Sequence, residues 1–188
     1  SMEETEIGGD VTKQMLSLIP KKLYTEMSVG EGETGLVYYN NVLQKSVGRG
    51  VYRFWNYSRS VTYRVFDMRQ QELDIVGQEI LTRDKIGIRM NVSCMYKLRD
   101  AVEFAATISE LKRPLYSAVQ LVIREIVGKY KLDEILEAKE QISKEIYKAL
   151  KARETMFCVN FLTTGIKDII LPGEIRQIMN SVLVAEKT

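Results

Sequence analysis

Several residue sets in this chain have types and spacings that could do chemistry. Acid pairs such as Asp67/Glu72 and Glu79/Asp84 have the composition of a general acid and base. The chain has no histidine. That excludes Ser-His-Asp and Cys-His triads, histidine metal sites and an imidazole switch. With no histidine and no metal-ligand cluster, the acid pairs read as strand-edge and turn residues. A Ser–Lys dyad needs no histidine, and its two groups need only meet in space. No nucleophile-elbow signature marks one. Cys94 and Cys158 lie far apart and neither has a CxxC partner. Zinc and thioredoxin readings therefore fail, and buried reduced thiols are expected over a disulfide.

Gly30-Glu31-Gly32-Glu33-Thr34-Gly35 satisfies GxGxxG. A nucleotide-binding loop follows a strand and opens a helix. Here the strand-like Leu36-Val37-Tyr38-Tyr39 follows instead, and Glu31 and Glu33 would repel a pyrophosphate. A turn is expected. The run from Arg49 to Arg59 interleaves bases with aromatics. Arg53, Phe54, Trp55, Tyr57 and Arg59 are its candidate membrane- or partner-facing residues. The competing reading is a core strand with arginines on the wet side and Trp55 packed inward. A nucleic-acid stacking platform is the weakest of the three, and no nucleic-acid partner is expected. No catalytic, cofactor-binding or metal-ligating residues are assigned, and no cofactor is expected.

The elements that must position these residues follow from composition and period. The chain has 188 residues, 45% of them apolar and 28% charged, with 3 prolines. That is a globular composition of ordinary one-domain length. Net charge is +2, too balanced to imply nucleic acid. The charge is uneven: −4 over 1–34, +5 over 35–100 and +1 beyond. The middle segment favours an anionic surface weakly. No apolar run is long enough for a transmembrane helix, and no signal peptide opens the chain. Ser1-Met2 reads as a cloning remnant ahead of an excised domain.

Residues 1–29 read as a leader, with one helical turn around Met15, Leu16, Leu18 and Ile19 ending before Pro20. From Gly35 the period is two. Strands are expected over Leu36–Tyr39, Val42–Lys45, Val51–Phe54, Val61–Phe66 and Glu72–Val76. The longest runs over Lys85–Leu98, with Ile86, Ile88, Met90, Val92, Cys94 and Tyr96 on one face. The period then turns helical. Asp100 caps Ala101–Ile108. Pro114 opens a helix to about Tyr130, with an inward stripe of Leu115, Ala118, Val119, Val122, Ile123, Ile126 and Val127. Asp133 caps a short turn through Leu136. A single helix over Ala138–Met156 turns Ile142, Ile146, Ala149, Leu150 and Arg153 inward. A last strand lies within Val159–Leu171. Pro172-Gly173 opens a final helix with Ile175, Ile178, Met179 and Val182 at coiled-coil-like spacing. It is expected to run on past Thr188 and to drive oligomerisation. The expected fold is α+β: a twisted, mainly antiparallel sheet with helices on one face, then the start of a long coiled-coil helix. The expected division is a leader over 1–29, a core domain over 30–171 and the truncated helix over 172–188.

Three motifs stand in register with a known family. They are Asp67-Met68-Arg69, Gly77-Gln78-Glu79-Ile80-Leu81-Thr82-Arg83-Asp84 before the long strand, and Ile166-Lys167-Asp168-Ile169-Ile170-Leu171-Pro172-Gly173-Glu174-Ile175. With Glu31-Gly32-Glu33-Thr34-Gly35-Leu36-Val37, they make the chain from about Gly30 to Lys187 resemble the stomatin-like proteins, or slipins. These form part of the stomatin/prohibitin/flotillin (SPFH, band-7) superfamily, and the resemblance is to bacterial members. It implies a non-catalytic, membrane-associated scaffold that forms dimers, trimers and larger rings or cages. It implies an NfeD-type membrane protein as partner, a protease association that belongs to the partner's chemistry, and a place at the cytoplasmic face of the membrane. The alternative function is a Ser/Lys hydrolase or protease subunit. The family's N-terminal hydrophobic anchor and its Ala/Glu-rich coiled coil are not among these 188 residues, so this segment is expected to be soluble. The family's juxtamembrane palmitoylated cysteines do not carry over to Cys94, which sits within a strand.

Overall fold

The computed structural model describes residues 5–77, 79–173 and 180–181. The chain divides into two compact units.

The first unit comprises Ser1–Arg69 and Leu98–Thr107. A short helix, α1 (Lys13–Ser17), is capped by Thr12, whose Oγ1 accepts the Met15 N–H at 3.2 Å. A 3-10 turn at Lys21–Leu23 leads into β1 (Tyr24–Val29). Then come β2 (Glu33–Tyr39), β3 (Val42–Val47), β4 (Gly50–Trp55) and β5 (Val61–Asp67). β1 pairs antiparallel with β4, while β3, β2 and β5 form an antiparallel three-stranded sheet with β2 in the middle. Met27, Val29, Val37, Tyr39, Phe54 and Val61 meet in one buried cluster between ribbon and sheet. Gly35 makes their close approach possible. A Cβ there would lie 2.7 Å from Val29 Cγ2 and 2.9 Å from Met27 Sδ.

Within residues 1–29, β1 contributes two core side chains, Met27 and Val29. Glu6 also bridges Phe54, and the Ile7 N–H donates to the Arg53 carbonyl at 2.8 Å. β4 thus has bonded backbone on both edges. The unit closes with α2 (Ala101–Thr107), whose Phe104 meets Phe66 edge-on at 5.4 Å. Asp100 caps α2 as the sequence predicts: its Oδ1 accepts the N–H groups of Val102 and Glu103 at 2.8 and 3.0 Å.

The second unit comprises Gln70–Lys97 and Ile108–Thr188. Its sheet centres on β8 (Gly87–Leu98). β6 (Gln71–Ile75) and β7 (Glu79–Leu81) pair antiparallel with successive stretches of β8, and β9 (Val159–Ile170) also pairs with it. The alternation in β8 holds: Ile88, Met90, Val92, Cys94 and Tyr96 are buried, and the intervening residues are not. The helices are α3 (Lys112–Val127), α4 (Leu132–Glu137), α5 (Lys139–Lys151) and α6 (Glu154–Phe157). The α3 stripe is buried at every expected position except Ala118, which is half-buried. α5 packs Ile142, Ile146 and Leu150 inward.

Two expectations need correction, and a third lies outside the described residues. The single helix over 138–156 is two, because the chain tightens after Lys151 and the Arg153 N–H bonds Leu150 rather than Ala149. Arg153 Nη1 instead donates to the Ala149 carbonyl at 2.9 Å. Asp133 lies inside α4, whose first N–H groups are held by other carboxylates: the Lys131 N–H donates to Glu134 Oε2 at 3.1 Å and the Leu132 N–H to Asp84 Oδ1 at 3.2 Å. The oligomerisation residues Ile175, Ile178, Met179 and Val182, and the coiled coil they suggest, lie outside the described residues.

Candidate membrane- or partner-facing surface

β4 ends at Trp55 and β5 begins at Val61, so residues 56–60 form a loop at one end of the first unit. Asn56 fixes its start. Its backbone N–H donates to the Leu23 carbonyl at 3.0 Å. Its side-chain amide donates to the Lys22 and Leu23 carbonyls and accepts from Thr25 Oγ1 at 2.9 Å. Asn40 fixes the end. It and Asn41 are both left-handed, with φ of 48° and 67°, in the two-residue turn joining β2 to β3. The Asn40 N–H donates to the Ser60 carbonyl at 2.8 Å, and Asn40 Oδ1 accepts the Ser60 N–H at 3.0 Å. Between these ties lies an open concavity of about 580 Å³, lined by Lys22, Asn40, Asn56, Tyr57, Ser58 and Arg59 among others. The Arg59 guanidinium stands 5.4 Å from the Tyr39 ring centroid. Burial pushes the Tyr39 hydroxyl pKa up, and Arg59 opposes that shift.

The five sequence candidates separate on this frame. Phe54 is 0% exposed, edge-on to Tyr39 at 6.3 Å, and is removed from the surface. The reason is the strand period of two: neighbours 54 and 55 point to opposite faces. Trp55 is half-buried and Tyr57 is 71% exposed, their rings 6.1 Å apart. The competing reading, with Trp55 as the core residue, had the parity reversed. Arg53 is paired with Glu26 at 2.8 Å across the β1–β4 ribbon. Arg59 and the aromatic pair therefore make the surface, joined by Lys22, Asn40 and Asn56. The asparagine pair 40–41 carried a legible turn signal. Nothing in the sequence placed Lys22 beside Arg59.

Of the acid candidates, Asp67, Glu72 and Asp84 are engaged in hydrogen bonds within the fold. Hydrogen bonds from Arg69 hold the Asp67 carboxyl below its ordinary pKa. Asp84 accepts from the Thr82 hydroxyl, which likewise lowers its pKa. Thr82 Oγ1 also accepts the Ile86 N–H at 3.0 Å, so this buried threonine ties the β7–β8 turn together. One serine and one lysine share a partner on the polar face of the second unit's sheet. Ser93 donates to Glu72 at 2.8 Å, and Lys167 bonds Glu72 at 3.3 Å and Asp74 at 3.0 Å. Hydrogen bonds to Asp74 and Glu72 raise the Lys167 pKa and keep it an ammonium. A dyad needs a neutral amine to take the serine proton, so this arrangement is configured for an ion pair.

Cys94 and Cys158 are both free and buried. Burial pushes the Cys94 thiol up to about 11, opposite to the shift that activates a thiol. Gly30–Glu33 is a turn, with Gly32 at φ 75°. Among the described residues, no group of three or more His, Cys, Asp or Glu could hold a metal ion. Among them too, no helix is long and apolar enough to cross a membrane.

A family model described as "SPFH domain / Band 7 family" matches residues 27–188. An uncharacterized protein of Archaeoglobus fulgidus is 23% identical over 85% of this chain and 63% of its own length. A stomatin homolog of Pyrococcus abyssi is 23% identical over 65% of this chain and 46% of its own. The stomatin-like protein 3 of Homo sapiens is 26% identical over 60% of this chain and 39% of its own. These relatives are archaeal and human. The chain spans less than two thirds of the length of each.

Proposed function

The chain belongs to the SPFH domain / Band 7 family, and from that premise we propose that it is part of a non-catalytic, membrane-associated scaffold. The scaffold homo-oligomerises and organises membrane partners, with an NfeD-type membrane protein as the candidate partner and the cytoplasmic face of the membrane as its place. The family match over 27–188 is the observation that carries this reading. The loop end of the first unit supports it: an exposed tyrosine beside a half-buried tryptophan, with Lys22 and Arg59 lining the same hollow as the tyrosine. Tyrosine and tryptophan suit a membrane interface because one end of each ring is apolar and the other polar.

Two experiments test the reading. Liposome flotation of the chain is compared with a Trp55→Ala/Tyr57→Ala variant, and the wild type is expected to float better. Phe54 is left intact, since its removal would damage the core. For oligomerisation, a chain that includes residues 172–188 and the sequence that follows them in the full-length protein is compared by sedimentation with one carrying Asp at Ile175, Ile178, Met179 and Val182. Assembly is expected to be lost in the variant, and equal assembly would refute the role of those residues.

A further inference from the structure

The concavity at residues 22, 40 and 56–61 has a chemistry of its own. Its lining residues are Lys22, Asn40, Asn56, Tyr57, Ser58, Arg59, Ser60 and Val61, with no carboxylate among them. Elsewhere in the first unit, Lys45, Arg53, Arg69 and Arg99 are each paired with a carboxylate. Lys22 and Arg59, like Lys13, Lys21, Arg49 and Arg64, have no ion-pair partner among the described residues. Asn56 and Asn40 lock both ends of the loop through their own hydrogen bonds. The Tyr39 ring holds the Arg59 guanidinium from one side. Two cations thus face one polar hollow on fixed backbone, with serine hydroxyls as further donors. A guanidinium and an ammonium around a hydroxylated hollow suit a phosphate group. Tyr57 is one of the lining residues, and the Trp55 ring lies 6.1 Å from its ring; aromatics of this kind suit a membrane interface.

We infer that this concavity binds the phosphate of an anionic phospholipid headgroup, with Lys22 and Arg59 as the charge-bearing contacts. The inference rests on the membrane reading above and adds to it a headgroup requirement. The test is co-sedimentation of the 188-residue chain with vesicles of phosphatidylcholine alone and vesicles containing phosphatidylglycerol. Wild type, Lys22→Gln/Arg59→Gln and a control, Lys112→Gln/Arg113→Gln, are compared. The control removes two exposed cations from α3. Each basic residue near an anionic surface contributes about fivefold to partitioning. The Lys22/Arg59 variant is therefore expected to bind anionic vesicles roughly 25-fold more weakly, and the control within about twofold of wild type.

Far-UV circular dichroism confirms that each variant is folded. Equal wild-type binding to both vesicle types would overturn the headgroup assignment and leave the membrane reading standing. Equal losses in the two double variants would reduce the effect to bulk charge and also overturn it. No binding to either vesicle overturns both readings. Protection of the loop by inorganic phosphate, without vesicle binding, would assign the hollow to a soluble phosphate and overturn the lipid source.

Discussion

Phe54→Ala is the substitution on which the two halves of the aromatic run differ most. Phe54 is fully buried among Met27, Val29, Val37, Tyr39 and Val61, on a strand bonded along both edges. Truncating a buried phenylalanine costs about 3–5 kcal/mol. Roughly 1 kcal/mol of that is the edge-on contact with Tyr39. Domain stabilities are about 5–15 kcal/mol, so this one change removes a large share of the first unit's margin. Tyr57→Ala, at an exposed loop position, is expected to stay within about 0.5 kcal/mol. Trp55 is the only tryptophan in the chain and lies on β4, so its fluorescence reports unfolding of the first unit. With urea slopes of about 1–3 kcal/mol/M, the Phe54→Ala midpoint is expected to fall by at least about 1 M. Tyr57→Ala leaves it nearly unchanged. Phe54→Leu preserves most of the apolar volume and is expected to cost less than half as much. If Phe54→Ala and Tyr57→Ala shift the midpoint equally, the assignment of Phe54 to the core is wrong.

Gly35→Ala places a methyl against Val29 and Met27 and is expected to destabilise the first unit by about 1–3 kcal/mol through overpacking, read by the same Trp55 signal. Thr82→Val keeps the shape but leaves the Ile86 N–H and Asp84 without their hydroxyl partner. About 1–3 kcal/mol is the expected cost, measured by thermal unfolding of the second unit. The Cys94 thiol stays neutral in the fold up to about pH 11 and ionises earlier when unfolded. Its raised native pKa leaves stability intact below the unfolded pKa and removes it as pH rises through the native one. Stability is therefore expected to fall between roughly pH 9 and 11, less steeply in Cys94→Ala, and native Cys94 is expected to resist iodoacetamide. Asp74 is held below its ordinary pKa by Lys167. Lys167→Met is expected to raise it toward the unperturbed carboxylate value, read by NMR titration.

Strong periods were legible and pairing-dependent elements were not. The β8 alternation and the α3 stripe follow from residue order, because one buried face imposes its period on the sequence. β1 does not announce itself: Tyr24–Val29 carries Glu26 and Ser28 among its apolar residues, and it is a strand because β4 is there to pair with it. β7 is three residues long, too short for any period. The family motifs proved to be joints. Asp67 is bonded by Arg69, the Met68 N–H donates to the Gly32 carbonyl, and Thr82 and Asp84 fasten the β7–β8 turn to α4. The surface was half legible. The run around Trp55 pointed to the loop over 56–60, and the strand parity takes Phe54 to the other face. Lys22 reaches the hollow only because β1 carries the leader alongside β4.

The central claim is that the loop end of the first unit meets a membrane. Trp55 makes this directly measurable. With vesicles containing phosphatidylglycerol, its emission is predicted to shift to shorter wavelength and to be quenched by brominated acyl chains placed near the headgroup. Unchanged emission and no quenching, at lipid concentrations where known interfacial tryptophans respond, would contradict the account.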